Sequence, residues 1–154
     1  MKNAYKILWA EDEDILREVV CELIKGEGFD CKAVPNGLEA KGLLEKDHFD
    51  LLISDFKMPE LDGAHLLFWC RENNLHIPVI FVSATVERSA IEDLVLKDCC
   101  TSLIHKPFAV EDLLEEIKKA QGRNHEFECN GTTIPLTQGD FQESFPGQQY
   151  LKMS

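Results

Sequence analysis

Short apolar runs rich in β-branched and aromatic residues recur at Tyr5–Ala10, Phe29–Val34, Leu51–Ser54, Val79–Ser83 and Ser102–His105. Each is followed by a longer stretch with helical periodicity, and this β-then-α alternation predicts a parallel sheet flanked by helices. The first helix is marked by Ile15, Val19 and Leu23 at i, i+4 and i+8, with Asp14 as its N-cap and Gly26 and Gly28 as stop signals. Further helices are expected around Leu38–Glu45, Ala64–Glu72 and Arg88–Lys97. A fifth carries the stripe Leu113, Leu114, Ile117 and Ala120, and Gly122 ends it.

Four of the five strand segments are nearly continuous in apolar residues, as strands covered on both faces must be. Phe29-Asp30-Cys31-Lys32-Ala33 alternates instead and belongs at an edge. Five parallel strands with an early strand displaced to the edge fit a doubly wound α/β sheet of order 2-1-3-4-5, with five flanking helices. Such a sheet binds ligands at the carboxyl ends of strands one and three. Glu11 and Asp12 follow the first of these, and Asp55 follows the second. Three carboxylates are therefore expected to converge on one crevice.

The chain has 154 residues, 44% of them apolar, enough for one core-bearing domain. Residues 1–122 are expected to form that domain and residues 123–154 a C-terminal tail or the remnant of an output module. Within the tail, Phe127–Ile134 reads as a hairpin turning at Asn130-Gly131. The formal net charge of −12 repels phosphate backbones and anionic membranes, which speaks against direct nucleic-acid binding and membrane association. No apolar run approaches the roughly 18 residues of a membrane span, and the amino terminus lacks the pattern of a secretory signal, so a cytoplasmic protein is expected. None of the six cysteines forms a Cys-x-x-Cys pair or a zinc-ligand spacing. They read as small buried hydrophobes, with adjacent Cys99-Cys100 the exception to watch. The five histidines share no ligand spacing and read as structural or surface residues, and Trp9 and Trp69 read as packing residues.

Carboxylates gathered within a few ångströms repel one another, which raises their proton affinity or demands a cation. Magnesium suits them, since it takes oxygen ligands and bridges carboxylates to phosphoryl groups. Lys106, just after the fifth strand, and Ser83, ending the fourth, share this edge of the sheet and are candidates to neutralise an added phosphoryl group.

With these residues in view, the chain resembles the receiver domains of two-component response regulators, the CheY-like family with a flavodoxin-like fold. The matching stretches are Ile7-Leu8-Trp9-Ala10-Glu11-Asp12-Glu13, then Asp50–Pro59 with Asp62-Gly63, then Pro78–Ala84, and finally Lys106-Pro107-Phe108. They occur in order between about Ala4 and Gly122. The resemblance implies that Asp55 accepts a phosphoryl group from a sensor histidine kinase or a histidine phosphotransfer protein. It implies that Glu11, Asp12, Asp55 and the backbone carbonyl of Lys57 hold Mg2+, while Lys106 and Ser83 contact phosphoryl oxygens. It further implies a cis Lys106–Pro107 peptide and a monomer or weak homodimer whose only catalysis is its own phosphorylation and dephosphorylation.

Three positions depart from the family pattern. Glu11 stands where Asp is more usual, Cys99-Cys100 where Gly-Ala is common, and Leu103 where an aromatic ring serves as the switch. Leucine has no ring to swing, so the rival reading is a docking domain that works without phosphorylation. A haloacid-dehalogenase-like phosphatase would want an acid two residues beyond the nucleophile, where this chain has Lys57. A flavin carrier would want a phosphate-cradling loop where this chain has Glu11 and Asp12.

Overall fold

The computed structural model describes residues 4–84, 92–93 and 100–122. In chain order these form β1 (Lys6–Ala10), α1 (Asp14–Gly26), β2 (Asp30–Val34), α2 (Gly37–Lys46), β3 (Leu51–Asp55), α3 (Gly63–Glu72), β4 (Val79–Ser83), β5 (Thr101–His105) and α4 (Val110–Gln121). The strands make one parallel sheet in the order β2-β1-β3-β4-β5. The expected order is therefore observed. Of the helix expected over Arg88–Lys97 only Glu92 and Asp93 are described, and both are helical. The hairpin expected at Phe127–Ile134 lies outside the described residues.

Period-2 alternation along the strands divides the apolar side chains between two layers. Leu8, Ala10, Leu52 and Phe81 face a core shared with α2 and α3, including Ala40, Leu44, Leu66 and Leu67. Ile7, Trp9, Ile53, Ile80 and Ile104 face the opposite core with Val20 and Ile24 of α1 and Leu113 and Ile117 of α4. Strands β3 and β4 are buried along their whole length, whereas β2 alternates between exposed and buried positions, as an edge strand should. Trp9 and Trp69 are both buried in packing positions.

One expectation about α1 needs correction. Glu13, not Asp14, occupies the N-cap. Asp14 is the first helical residue and pairs with Arg17 at 2.6 Å, one turn on, instead of capping the helix. The Ile15, Val19 and Leu23 stripe does not face the core, because Val20, Cys21 and Ile24 fill that role. The stripe is exposed, so α1 is apolar on two sides.

The sharp turn from β3 into α3 is held by Gly63, whose N–H donates to the Phe56 carbonyl at 2.9 Å. A Cβ there would lie 2.9 Å from the Asp55 carbonyl and 3.0 Å from the Phe81 ring. Asp62 caps α3 by accepting from the His65 N–H at 2.9 Å. Cys21, Cys31 and Cys70 are buried free thiols, as the sequence reading expects, while Cys100 is buried and disulfide-bonded.

Gly63→Ala is expected to destabilise the protein by about 2 kcal/mol, the scale of overpacking a tight site. Gly42 lies within α2, and a Cβ added to it meets nothing within 4 Å. Gly42→Ala should therefore stabilise by about 0.5–1 kcal/mol through helix propensity. Urea unfolding of the two variants checks both signs.

Candidate functional site

The carboxyl edge of the sheet is fixed by hydrogen bonds that carry the parallel ladder one residue past the strands. The Glu11 N–H donates to the Val34 carbonyl at 3.0 Å, the Phe56 N–H to the Val82 carbonyl at 3.1 Å, and the Lys106 N–H to the Ser83 carbonyl at 2.8 Å. Glu11, Asp55 and Lys106 thus stand on a braced backbone. Such placement favours precise geometry over loop mobility.

The side chains then meet. Lys106 Nζ donates to Glu11 Oε1 and Oε2 at 3.0 and 3.2 Å and to Asp55 Oδ2 at 2.9 Å. Glu11, Asp12 and Asp55 each offer a carboxylate oxygen, and these atoms lie within 4.8 Å of one another. Glu11 is fully buried and Asp55 nearly so, while Asp12 is exposed at the mouth. Three carboxylates against one ammonium leave a local excess of two negative charges when all are ionised.

Burial and that excess act together on Glu11. Burial, followed by the neighbouring Asp55 carboxylate, pushes the Glu11 carboxyl up to about 7, and Lys106 offsets only part of this. Burial alone would lower the Lys106 ammonium, but its hydrogen bonds and charge interactions with Asp55 and Glu11 outweigh it and raise the group above its ordinary value.

Ser83 ends β4 beside His105 and is buried, and the Lys106–Pro107 peptide is cis. Lys57 is exposed two residues beyond Asp55. Leu103 is half-buried and lies opposite Phe81 in the β4–β5 register, packed toward the α2 and α3 layer. Phe81 in turn meets Phe56, next to Asp55, edge to face at 5.3 Å. Leu103 is therefore joined to the Asp55 turn through two aromatic rings.

Arg17 was not among the residues singled out from sequence. Its guanidinium donates to the Glu11 carbonyl at 2.9 Å and to the Asp12 carbonyl at 3.5 Å, while pairing with Asp14. This clamps the turn that presents both acids. An arginine one turn into a helix carries no motif, so only the folded geometry reveals it.

The donor set suits a hard divalent cation: the three carboxylates supply only oxygen, and the partly compensated charge would be relieved by one more positive ion. Among the described residues no cysteine or histidine joins the cluster, and the oxygen-only donors favour a hard ion over a softer transition metal.

Residues 7–118 match the model of the response regulator receiver domain. The chain is 30% identical over 118 residues to the polar-differentiation response regulator DivK of Brucella ovis, covering 75% of this chain and 95% of that protein. Among solved structures it is similar to a response regulator receiver domain protein from Clostridium thermocellum, with TM-score 0.70 and 26% identity over 79% of this chain and 98% of the other. It is also similar to the response regulator TrrA of Thermotoga maritima, solved in complex with Mg2+ and BeF, with TM-score 0.66 and 27% identity over 75% and 97% of the two chains. The family match runs over most of this chain and the relatives are matched almost end to end, so the chain belongs to the response regulator receiver domain family.

Proposed function

We propose that this protein is the phosphoacceptor of a two-component phosphorelay, receiving a phosphoryl group on Asp55 from the phosphohistidine of a kinase or phosphotransfer partner. The observation that carries this reading is the position of Asp55, within hydrogen-bonding reach of Lys106 and beside Glu11 and Asp12 at the carboxyl edge of the sheet. One Asp55 carboxylate oxygen attacks phosphorus. The phosphorus–nitrogen bond breaks as the new phosphorus–oxygen bond forms, and the imidazole leaves with the electron pair. Lys106 exchanges its carboxylate partner for a phosphoryl oxygen, and the Ser83 hydroxyl donates to another. The chain's task is positioning and charge neutralisation more than covalent chemistry.

Glu11, Asp12, Asp55 and the Lys57 carbonyl are the residues proposed to hold Mg2+, which when bound supplies positive charge against both the carboxylates and the phosphoryl oxygens. Arg17 keeps the Glu11–Asp12 turn in place. Glu11, one methylene longer than aspartate, reaches Lys106 from a fully buried position. At Leu103 the change passed to the α2 and α3 side is a leucine repacking against Phe81. This gives a smaller difference between the two states than an aromatic ring would provide.

Incubation with acetyl phosphate and Mg2+ should add one phosphoryl group to wild type, seen by intact mass, and none to Asp55→Asn. An unlabelled wild type would overturn the proposal.

Mg2+ at ten times its dissociation constant should stabilise the fold by about 1.4 kcal/mol. Asp12→Ala should lose most of that gain in a thermal melt.

The pH dependence follows from Glu11, whose folded value of about 7 lies above the reference value of 4.5. Below 4.5 the group is protonated in both states and costs nothing. As pH rises through 7 the folded state must ionise a buried acid, so this contribution to stability is lost. In chelator, the melting temperature of wild type should fall relative to Glu11→Gln between about pH 4.5 and 7. Added Mg2+ should shrink the difference.

A further inference from the structure

Strand β2 is an edge of the sheet, bonded to β1 alone. The Asp30 N–H donates to the Tyr5 carbonyl and the Glu11 N–H donates to the Val34 carbonyl, so Asp30, Lys32 and Val34 turn their backbone groups toward β1. Alternation then turns those of Cys31 and Ala33 outward. The Cys31 carbonyl meets the Cys21 thiol at 3.7 Å. Ala33 directs both its N–H and its carbonyl to the open edge, where they form a template for one more strand.

Beside this edge α2 presents Glu39, Gly42, Leu43 and Lys46, which share one face at i, i+3, i+4 and i+7. With Lys32, Ala33 and Val34 they line a groove of about 520 Å3. Its apolar part is Val34, Leu43 and the bare backbone of Gly42, where an added Cβ would meet nothing within 4 Å. The charges differ from those of the chain as a whole. Acids outnumber lysines and arginines 28 to 16 along the sequence, yet two lysines face one glutamate in this groove. The Glu39 carboxylate is already engaged, accepting from the Asn36 side chain at 3.3 Å. Glu45, next to Lys46, pairs with Lys41. Lys32 reaches Asp47 only at 3.9 Å, and Lys6 holds that same carboxylate more closely, at 3.2 Å. Lys46 is exposed and has no ion-pair partner among the described residues.

We propose that the β2 edge and this groove bind an extended acidic peptide segment of another protein as a further strand. A carboxylate of the segment pairs with Lys32 and Lys46, and an apolar side chain two residues away packs over Val34, Gly42 and Leu43. Lys32 and Val34 are themselves two residues apart on one face of β2, so this spacing matches theirs. Main-chain bonds at Ala33 supply affinity, and the alternate side chains supply the selection. Lysines on an edge strand discourage pairing with an arbitrary strand, and one that brings carboxylates removes that obstacle. The net charge of −12 opposes an acidic partner at long range, so recognition rests on contacts inside the groove, within a Debye length of about 10 Å.

Fluorescence anisotropy of the labelled peptide Thr-Glu-Thr-Val-Thr-Glu-Thr with the full chain tests the proposal. Its glutamates and valine share one face, so either strand direction sets a carboxylate two residues from the valine. Saturable binding is expected. Exchanging the glutamates for lysines should weaken it about tenfold, and Lys46→Glu should weaken the original peptide by a similar factor, because an attraction becomes a repulsion. Gly42→Glu adds a helix-favouring side chain at a position open in the free protein, so it should keep the circular dichroism of wild type while blocking the groove. Equal binding of the lysine peptide, unchanged affinity in both variants, or no saturation at millimolar peptide would each overturn the proposal. So would a wild type that sediments as a dimer dissociated by Lys46→Glu, since a second copy would then be the occupant. None of these results bears on phosphorylation of Asp55.

Discussion

Everything at the carboxyl edge of this sheet depends on one ammonium group held between two carboxylates. Lys106 Nζ lies 3.0 Å from Glu11 and 2.9 Å from Asp55. Without it, two buried or nearly buried acids would face each other with no compensating charge. With it, the cluster is still two positive charges short when all its groups are ionised, because Asp12 adds a third carboxylate. The fold thereby stores an electrostatic deficit, which adds to burial, the larger cause, in raising the proton affinity of Glu11. A proton satisfies that deficit poorly, and a divalent cation satisfies it better. Removing one partner of such a buried pair is costly because the other is left uncompensated.

The deficit persists because the backbone cannot relax away from it. Each of the three strands that present these residues continues its ladder one hydrogen bond beyond the last strand residue. Arg17 then ties down the turn carrying Glu11 and Asp12, and Gly63 lets α3 begin directly against the Asp55 carbonyl. Rigid placement has a second effect. Phe56 follows Asp55, stacks edge-on against Phe81, and Phe81 lies opposite Leu103. A change of charge at Asp55 therefore has a packed route toward β5, although its last member is an aliphatic side chain that offers less contrast between states than a ring.

The strand order and the gathering of the acids were legible in the sequence because both follow from periodicity and topology. Continuous apolar runs at Leu51–Ser54 and Val79–Ser83 can only be central strands, and the alternating Asp30–Val34 can only be an edge. What escaped was local and geometric. Asp14 has the right chemistry for an N-cap, but Arg17 one turn later claims its carboxylate. The Ile15, Val19 and Leu23 stripe has helical spacing, yet periodicity reports that a face is apolar and not what covers it. The core is filled instead by Val20, Cys21 and Ile24 on the adjoining face. Arg17 itself bears no sequence signature, since its role is to hold backbone carbonyls.

The central claim is that the acid cluster is held short of positive charge by the fold, and the most direct measurement is a carbon-13 titration of the Glu11 carboxyl by NMR. In metal-free protein the account requires a midpoint near 7, against the ordinary 4.5. On addition of Mg2+ the midpoint should move to lower pH as the cation replaces the proton. A Glu11 midpoint close to 4.5 that is indifferent to Mg2+ would contradict the account.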